Sequence, residues 1–267
     1  MNNLHRSLAP ISDAAWADIE EEAKRTFERN IAARRVVDVA GPHGNDFAAV
    51  GLGRLHQVDS PEDGVRARVF RSKPVVQLRV PFSLSREEID GVERGSKDAD
   101  WVPLKEAARR IAFAEDRAIL DGYAAGGIDG IRPASSNLPI RVPTDATDVP
   151  EAISQAVSEL RLAGVEGPYS VLLGAELYTL VSETSDHGFP IVNHLTRIVD
   201  GDIIWAPAIE GAVVMTTRGG DYELHLGQDL SIGYLSHDAE SVELYFQESF
   251  AFLTNTTEAS VTLTPSP

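Results

Sequence analysis

Two spacings of hydrophobic residues occur along the chain, and each predicts a different kind of element. Apolar residues three and four positions apart, the spacing of one helix face, predict an amphipathic helix over residues 13–35. The residues of this face are Trp16, Ile19, Ala23, Phe27 and Ile31. The same spacing, with cap and turn signals at the ends, predicts four further helices. They cover residues 85–95, 98–123, 149–163 and 175–182.

An extended ribbon is predicted in the first third of the chain, where Val76, Leu78, Val80, Phe82 and Leu84 alternate strictly with other residues. A strand over residues 50–58 leads through a turn at residues 59–64 into a long returning strand over residues 65–84. Pro74 and Pro81 argue against a central position in a sheet for the returning strand. Because an isolated two-stranded ribbon is marginally stable in water, we expect this ribbon to lie on another copy of the chain.

The second half of the chain is predicted to be rich in strands. Residues 128–147 are rich in Pro, Ser, Asn and Thr, which is typical of a connection, and we place a domain boundary there. Residues 185–190 form an exposed loop. Short apolar runs bounded by turn residues predict strands in the remainder. They cover residues 169–173, 203–209, 212–217, 222–226, 230–235 and 242–253.

Composition places the chain among ordinary globular proteins. Of its 267 residues, 43% are hydrophobic and 24% are charged, so one large or two modest domains are expected. No apolar run approaches the roughly 18 residues of a membrane span. The first residues lack the apolar region of a secretory signal peptide. The absence of cysteine excludes disulfides, thiolate metal sites and cysteine nucleophiles, and it fits a cytoplasmic location.

Charge and motifs exclude several functions. The formal net charge of −17 repels nucleic acid and anionic membranes, so neither is expected as a partner. The sequence has no phosphate-binding loop and no strand–Ser–helix elbow, and the seven histidines are scattered without a metal-ligand spacing. We therefore predict no catalytic set and no metal site, although the abundant carboxylates leave a glycosidase-type acid pair open.

Five segments resemble the shell proteins of the encapsulin family, also called the linocin or bacteriocin-like family. Together they run from the N-terminus to about residue 255, and the last of them, with the sequence GGDYELHLGQDLSIGYL, is the most specific. The segments are Leu4–Ser12, Val36–Gly44, Arg71–Leu84 together with the following Val92–Gly95, Gly164–Gly174 and Gly219–Leu235.

This resemblance implies an α+β fold of the tailed-phage major capsid protein type (Hong Kong 97 type), with a peripheral domain, an axial domain and an extended loop. Residues 1–49 would form the N-terminal helix and arm of the peripheral domain, and residues 50–84 the extended loop. Residues 85–134, with the long helix, and residues 221–267 would complete the peripheral domain. Residues 135–220 would form the axial domain.

The function that the resemblance implies is encapsulation in the cytoplasm, with export left open. Similar proteins assemble, in the commonest type, into a closed icosahedral shell of roughly sixty copies. They enclose a cargo enzyme, usually a dye-decolorising peroxidase or a ferritin-like protein, through a short peptide at the C-terminus of the cargo. No cofactor is predicted. Some related shells hold a flavin, but Glu87 stands where an aromatic side chain would help to bind one.

The resemblance also carries two sets of site residues onto this chain. The cargo-docking groove would have an apolar wall of Phe27, Ile31, Val39, Ile232 and Tyr234. Its polar rim would consist of Arg34, Asp38 and Asp229. A loop over residues 182–190, with Asp186 and His187 near the opening, is the candidate for a pore at the fivefold axis.

Two other functions compete with the shell. One is a hydrolytic enzyme, as the bacteriocin-like label suggests, but it has no visible catalytic residues. The other is a phage capsid protein that packages DNA, which shares the fold but conflicts with the strongly negative net charge.

Overall fold

The computed structural model describes residues 3–143, 145–186 and 188–265, in which helices pack on two mixed β-sheets. The helices are α1 Asp13–Asn30, α2 Arg86–Glu93, α3 Val102–Leu120, α4 Ile131–Ala134, α5 Val149–Leu162, α6 Ala175–Glu183 and α7 Ile191–Ile198. The strands of the first half are β1 Asp38–Ala40, β2 Ala49–Val58, β3 Ala67–Pro74, β4 Val76–Ser85 and β5 Ile140–Arg141. Those of the second half are β6 Tyr169–Leu173, β7 Ser185–Asp186, β8 Phe189–Pro190, β9 Ile203–Trp205, β10 Ala212–Thr216, β11 Tyr222–Leu226, β12 Ser231–His237, β13 Ser241–Thr254 and β14 Ser260–Thr264.

Helix α1 begins as predicted and ends five residues earlier than predicted. Ser12 caps its first turn by accepting the N–H of Ala15 at 3.3 Å. At the other end, the buried carboxylate of Asp116 on α3 accepts the N–H groups of Ala32 and Ala33 at 2.9 and 2.8 Å. These bonds hold both N–H groups away from the carbonyls that a continuing helix would supply. The prediction of a helix to residue 35 is therefore wrong, because a side chain from another helix ends it.

One sheet has the strand order β1–β11–β13–β12, and β4 pairs with the opposite side of β13. Helices α1 and α3 pack together beside this sheet, and the apolar faces of both helices contribute to one buried cluster. In that cluster the rings of Phe82 on β4 and Phe246 on β13 lie 4.8 Å apart. The predicted apolar face of α1 is buried at Ile19, Ala23 and Phe27, as its spacing requires.

The other sheet has the order β5–β14–β10–β6–β9, and α5 packs against its strands β10 and β14. Strand β6 is buried along its whole length, which explains why its sequence is apolar except at Ser170. The predicted strands at residues 169–173 and 222–226 have the observed bounds. Helix α7 and strand β14 were not predicted, although Ile191, Leu195 and Ile198 have helical spacing.

Strands β2 and β3 form a separate two-stranded ribbon. Most of its residues are exposed, and Phe70 retains 75% of its accessible surface. The long returning strand predicted over residues 65–84 is divided at Val75, so β3 belongs to the ribbon and β4 to the first sheet. Pro74 lacks the N–H that would continue the ladder at the division. Among the residues described, no helix is long and apolar enough to cross a membrane.

A groove between the first helix and an edge strand

A groove of about 670 Å³ lies between α1 and the beginning of β12. Its floor is apolar because the buried face of α1 and the first residues of β12 converge there. The apolar lining consists of Leu4, Ala23, Phe27, Ile31, Leu230, Ile232 and Phe246. Charged residues from α1, the N-terminal segment, the turn after α1 and the turn before β12 surround this floor. They are Arg6, Glu20, Lys24, Glu28, Arg34, Arg35 and Asp229.

The segment before α1 spans one end of the groove. The carbonyl of Leu4 accepts the N–H of Tyr234 on β12 at 2.8 Å. Two residues later, the guanidinium of Arg6 pairs with Glu20 on α1 at 2.5 Å and lies 4.1 Å from the ring centre of Trp16. The segment is thus attached to both walls, which fixes the width of the groove at this end.

The opposite end holds an ion network around Arg34. Its guanidinium donates two hydrogen bonds to the fully buried Glu115, at 2.7 and 2.6 Å. It donates a third to Asp229 at 2.7 Å and a longer one, at 3.3 Å, to Glu248, which is also fully buried. The guanidinium also lies 5.0 Å from the ring centre of Phe27. Arg34 therefore connects α3, β13 and the turn before β12 at the floor of the groove.

Burial sets the protonation of this network. Burial raises the pKa of Glu248 well above its ordinary value, and the nearby charge of Glu115 acts in the same direction. Burial therefore favours the neutral form of Glu248. Burial opposes the charge of Arg34, but the hydrogen bonds and charges of Glu115 and Asp229 outweigh it and raise the pKa of Arg34. The cation is consequently fixed in place.

Asp116, the neighbour of Glu115 on α3, has a different surrounding. Burial raises its pKa to about 7, against an ordinary value of 3.8, although the N–H groups of Ala32 and Ala33 favour its charged form. Because the same N–H groups belong to the turn that carries Arg34, Asp116 positions that turn at the end of the groove. The side chain of Asp116 has no exposed surface, so this carboxyl group titrates in the interior of the protein.

The structure brings together five of the eight residues predicted for the groove. Phe27, Ile31, Arg34, Asp229 and Ile232 all line it. Tyr234 does not line it. Its main-chain N–H bonds Leu4, its hydroxyl lies 2.6 Å from Nδ1 of His237, and its side chain packs on the edge of the core.

Asp38 and Val39 lie on β1, outside the groove. The carboxylate of Asp38 accepts the N–H of Gly220 at 2.5 Å, in a small polar cleft of about 100 Å³. Arg35 lines both this cleft and the groove, so the two are neighbours. Val39 is 46% exposed.

Several residues of the groove were not predicted. Leu4 and Arg6 come from a segment to which no periodicity applies. Glu115 and Glu248 carry a signal that the sequence does contain, since each is a charged residue inside an apolar stretch of a predicted helix or strand. A charge in such a position requires a partner, but the sequence alone does not identify Arg34 as that partner.

The predicted pore residues lie far along the chain from these elements. Asp186 is on β7 and is paired with Phe189 of β8 in a short hairpin between α6 and α7. His187 lies outside the described residues. Among residues 3–143, 145–186 and 188–265, no group of three or more His, Asp or Glu side chains is placed to hold a metal ion.

The fold defines the class of protein. It is similar to a virus-like particle protein from Pyrococcus furiosus, with a TM-score of 0.65 over 93% of this chain and 98% of that one, at 17% identity. It is also similar to the protein of Mycobacterium phage Bobi, with a TM-score of 0.57 over 89% and 91% of the two chains, at 14% identity. The α+β fold of the phage capsid type is thus confirmed, and it is a fold of shell-forming proteins.

Sequence comparison gives the family. The family described as "Encapsulating protein for peroxidase" matches residues 1–251. Type 1 encapsulin shell proteins of Rhodococcus erythropolis and Mycobacterium tuberculosis are each 64% identical over 98% of this chain, covering 100% and 99% of their own lengths. The chain belongs to the encapsulin shell protein family, so its role is structural and not enzymatic.

Proposed function

We propose that this chain builds a hollow icosahedral compartment of roughly sixty copies in the cytoplasm, with the groove between α1 and β12 facing the lumen. The groove holds the C-terminal peptide of a cargo enzyme and thereby retains the enzyme inside. The observation that carries this proposal is the groove itself, which has an apolar floor and is flanked by charged groups, among them Arg34, whose guanidinium is held by Glu115 and Asp229.

The shape of the groove supports an extended peptide as its occupant. An extended peptide places alternate side chains on one side, which suits an apolar floor formed by Phe27, Ile31 and Ile232. Arg34 has its donors engaged with Glu115, Asp229 and Glu248, so it presents a fixed charge and not a mobile arm. We therefore assign side-chain selection to the floor and register to the charged end.

A peroxidase is the cargo that the family description favours. The dye-decolorising class is our first choice, and a ferritin-like protein is the alternative. For Asp38, Val39 and Tyr234, which lie outside the groove, a contact with cargo requires a peptide that continues past the groove. The β7–β8 hairpin with Asp186 is our candidate for the rim of a pore through which small molecules reach the cargo.

The test is the loading of a fluorescent protein fused to the C-terminal peptide of a dye-decolorising peroxidase from the same genome. The double variant Phe27→Ala, Ile232→Ala shortens one floor side chain on each wall, on α1 and on β12. We expect it to assemble into shells that contain little or no fluorescent cargo. Cargo per shell is measured by the ratio of fluorescence to shell protein after size-exclusion chromatography, and shell integrity by negative-stain electron microscopy.

The matched control is Leu235→Ala, on the same strand β12, because Leu235 is 46% exposed and does not line the groove. We expect this control to load as the unmodified chain does. Equal loading of the double variant and the control would refute the groove as the docking site. Loss of assembly in the double variant alone would show that the two side chains act in packing, and the proposal would then fail for them.

A further inference from the structure

Strand β12 is at the edge of its sheet in the part of the chain that the structure describes. It pairs with β13 on one side, and the sheet order ends with it on the other. The open side borders the groove, since Leu4, which is bonded to that side of β12 through Tyr234, also lines the groove. An open strand edge presents a row of main-chain N–H and C=O groups that can pair with an added strand.

The register identifies which of these groups point into the groove. The N–H of Tyr234 points away from β13, because it bonds the carbonyl of Leu4. In an antiparallel strand every second residue directs its N–H and C=O to the same side. The pairing is regular from Ser231 to Tyr234, with Ile232 opposite Phe246 and Tyr234 opposite Leu244, and the register shifts only after Tyr234. The N–H and C=O of Ile232 therefore point to the open edge.

The N-terminal segment already uses this edge, and then leaves it. After Leu4 the chain turns at His5, which has a positive φ of 52°, and enters the short 3₁₀ turn Arg6–Leu8. The ion pair between Arg6 and Glu20 then carries the segment across to α1. From His5 onward the segment therefore leaves this edge, and the bond at Tyr234 shows that the edge accepts a main-chain partner.

The apolar floor lies where the side chains of an added strand would project. A peptide beside Ile232 would direct alternate side chains toward the face of α1 that contains Phe27 and Ile31. Strand addition of this kind derives affinity from main-chain hydrogen bonds and selectivity from pockets for every second side chain. Both requirements are met by the same short stretch of β12.

We propose that the groove receives its peptide as an added β-strand, whose main chain pairs with the N–H and C=O of Ile232 on the open edge of β12. This inference rests on the proposed function, because it names the way in which the cargo peptide binds. Recognition then depends on the main chain and on the side chains that face the floor. The peptide side chains that point away from the floor are free to vary.

Hydrogen exchange of single amides tests the pairing directly. The two samples are shells loaded with the fluorescent protein that carries the peroxidase peptide, and shells made with the same protein lacking the peptide. We expect loading to slow exchange of the Ile232 amide by about tenfold, because one net hydrogen bond is formed. The Tyr234 amide, which is already bonded to Leu4, is expected to change little.

A second arm uses Ile232→Pro, which removes the outward N–H and leaves the ladder to β13 intact. Ile232→Val is the reference for lost side-chain contact, since it keeps the N–H. We expect the proline variant to load about tenfold less cargo than the valine variant. If the proline variant fails to assemble, the exchange measurement on the unmodified chain still decides.

The outcomes separate this inference from the proposed function. Slower exchange at Ile232 on loading supports strand addition. Loading that protects the α1 residues of the groove but leaves the Ile232 amide unchanged overturns strand addition and leaves the docking site intact. Shells that fail to retain the peptide-bearing protein, with no protection on either wall, overturn the proposed function and the inference with it.

Discussion

Strands β3 and β4 come from one predicted returning strand and end in opposite environments. On β3, Val69 is 46% and Phe70 75% exposed. On β4, Phe82 is 6% and Leu84 1% exposed, because ten consecutive residues of β4 pair with β13 beneath α3. The comparison teaches that alternation predicts an extended chain but does not say which surface will cover it. For β4 the cover is in the same chain, and for β3 we propose that a second copy supplies it.

Charge distinguishes the two regions as well. Residues 49–74, which include the ribbon, contain five Lys or Arg and three Asp or Glu, a net charge of +2. Since the whole chain carries −17, the remainder carries −19. A positive ribbon on a strongly negative molecule is complementary to the surface of a second copy, and such complementarity favours association in one orientation.

The largest effect on stability is expected for strand β4, the covered strand, from the substitution Phe82→Ala. The ring of Phe82 is buried and stacks on Phe246, so its removal leaves a cavity between β4 and β13. We expect a loss of about 3–5 kcal/mol in the free energy of unfolding. Thermal unfolding followed by near-ultraviolet circular dichroism measures it. A midpoint within a degree or two of the unmodified chain would show that β4 is covered less firmly than its burial indicates.

The next largest effect also concerns the buried part of the molecule, and it is a change of folding stability with pH. The pKa of Asp116 is about 7 in the folded chain and 3.8 ordinarily. For an acid with a raised pKa, the stability present at low pH is lost as the pH rises toward the folded value. Between pH 5 and 7 this loss amounts to about 2–3 kcal/mol. Burial raises the pKa of Glu248 in the same direction.

The measurement compares the unfolding midpoint of the unmodified chain and Asp116→Asn across this pH range. The amide does not titrate, so we expect the variant to start less stable and to lose less stability as the pH rises. Glu248→Gln is the second variant, for the other buried carboxyl group. Parallel pH profiles of the unmodified chain and Asp116→Asn would contradict a titrating Asp116.

The sequence could predict those parts of the molecule whose determinants are local. Strands β6 and β11 were predicted within their exact bounds, because turn residues flank each apolar run. The end of α1 could not be predicted, since the N–H of Ala32 bonds Asp116, which is 84 residues away in the chain. The division between β3 and β4 follows from pairing with β13, which is also remote in sequence.

The candidate site divides in the same way. Phe27 and Ile31 follow from helical spacing, whereas Arg34, Asp229 and Ile232 were named only through resemblance to a family. Glu115 and Glu248 complete the network of Arg34 from elements that only the fold brings together. Sequence periodicity therefore does not predict polar partners that are remote in the chain. In this groove those partners determine which charges are fixed.

The last prediction concerns the exposed side of the comparison. Phe70→Ala is expected to leave the stability of the single chain unchanged within about 0.5 kcal/mol, because the side chain is mostly exposed there. It should weaken assembly by about 2 kcal/mol per subunit, the value of burying such a ring against a second copy. The concentration needed for shell formation then rises about thirtyfold, as measured by light scattering over a dilution series.

The matched control is Leu162→Ala, at an 83% exposed position outside the ribbon. If Phe70→Ala and the control assemble alike, the ring of Phe70 remains uncovered in the shell and the contrast between β3 and β4 loses its explanation.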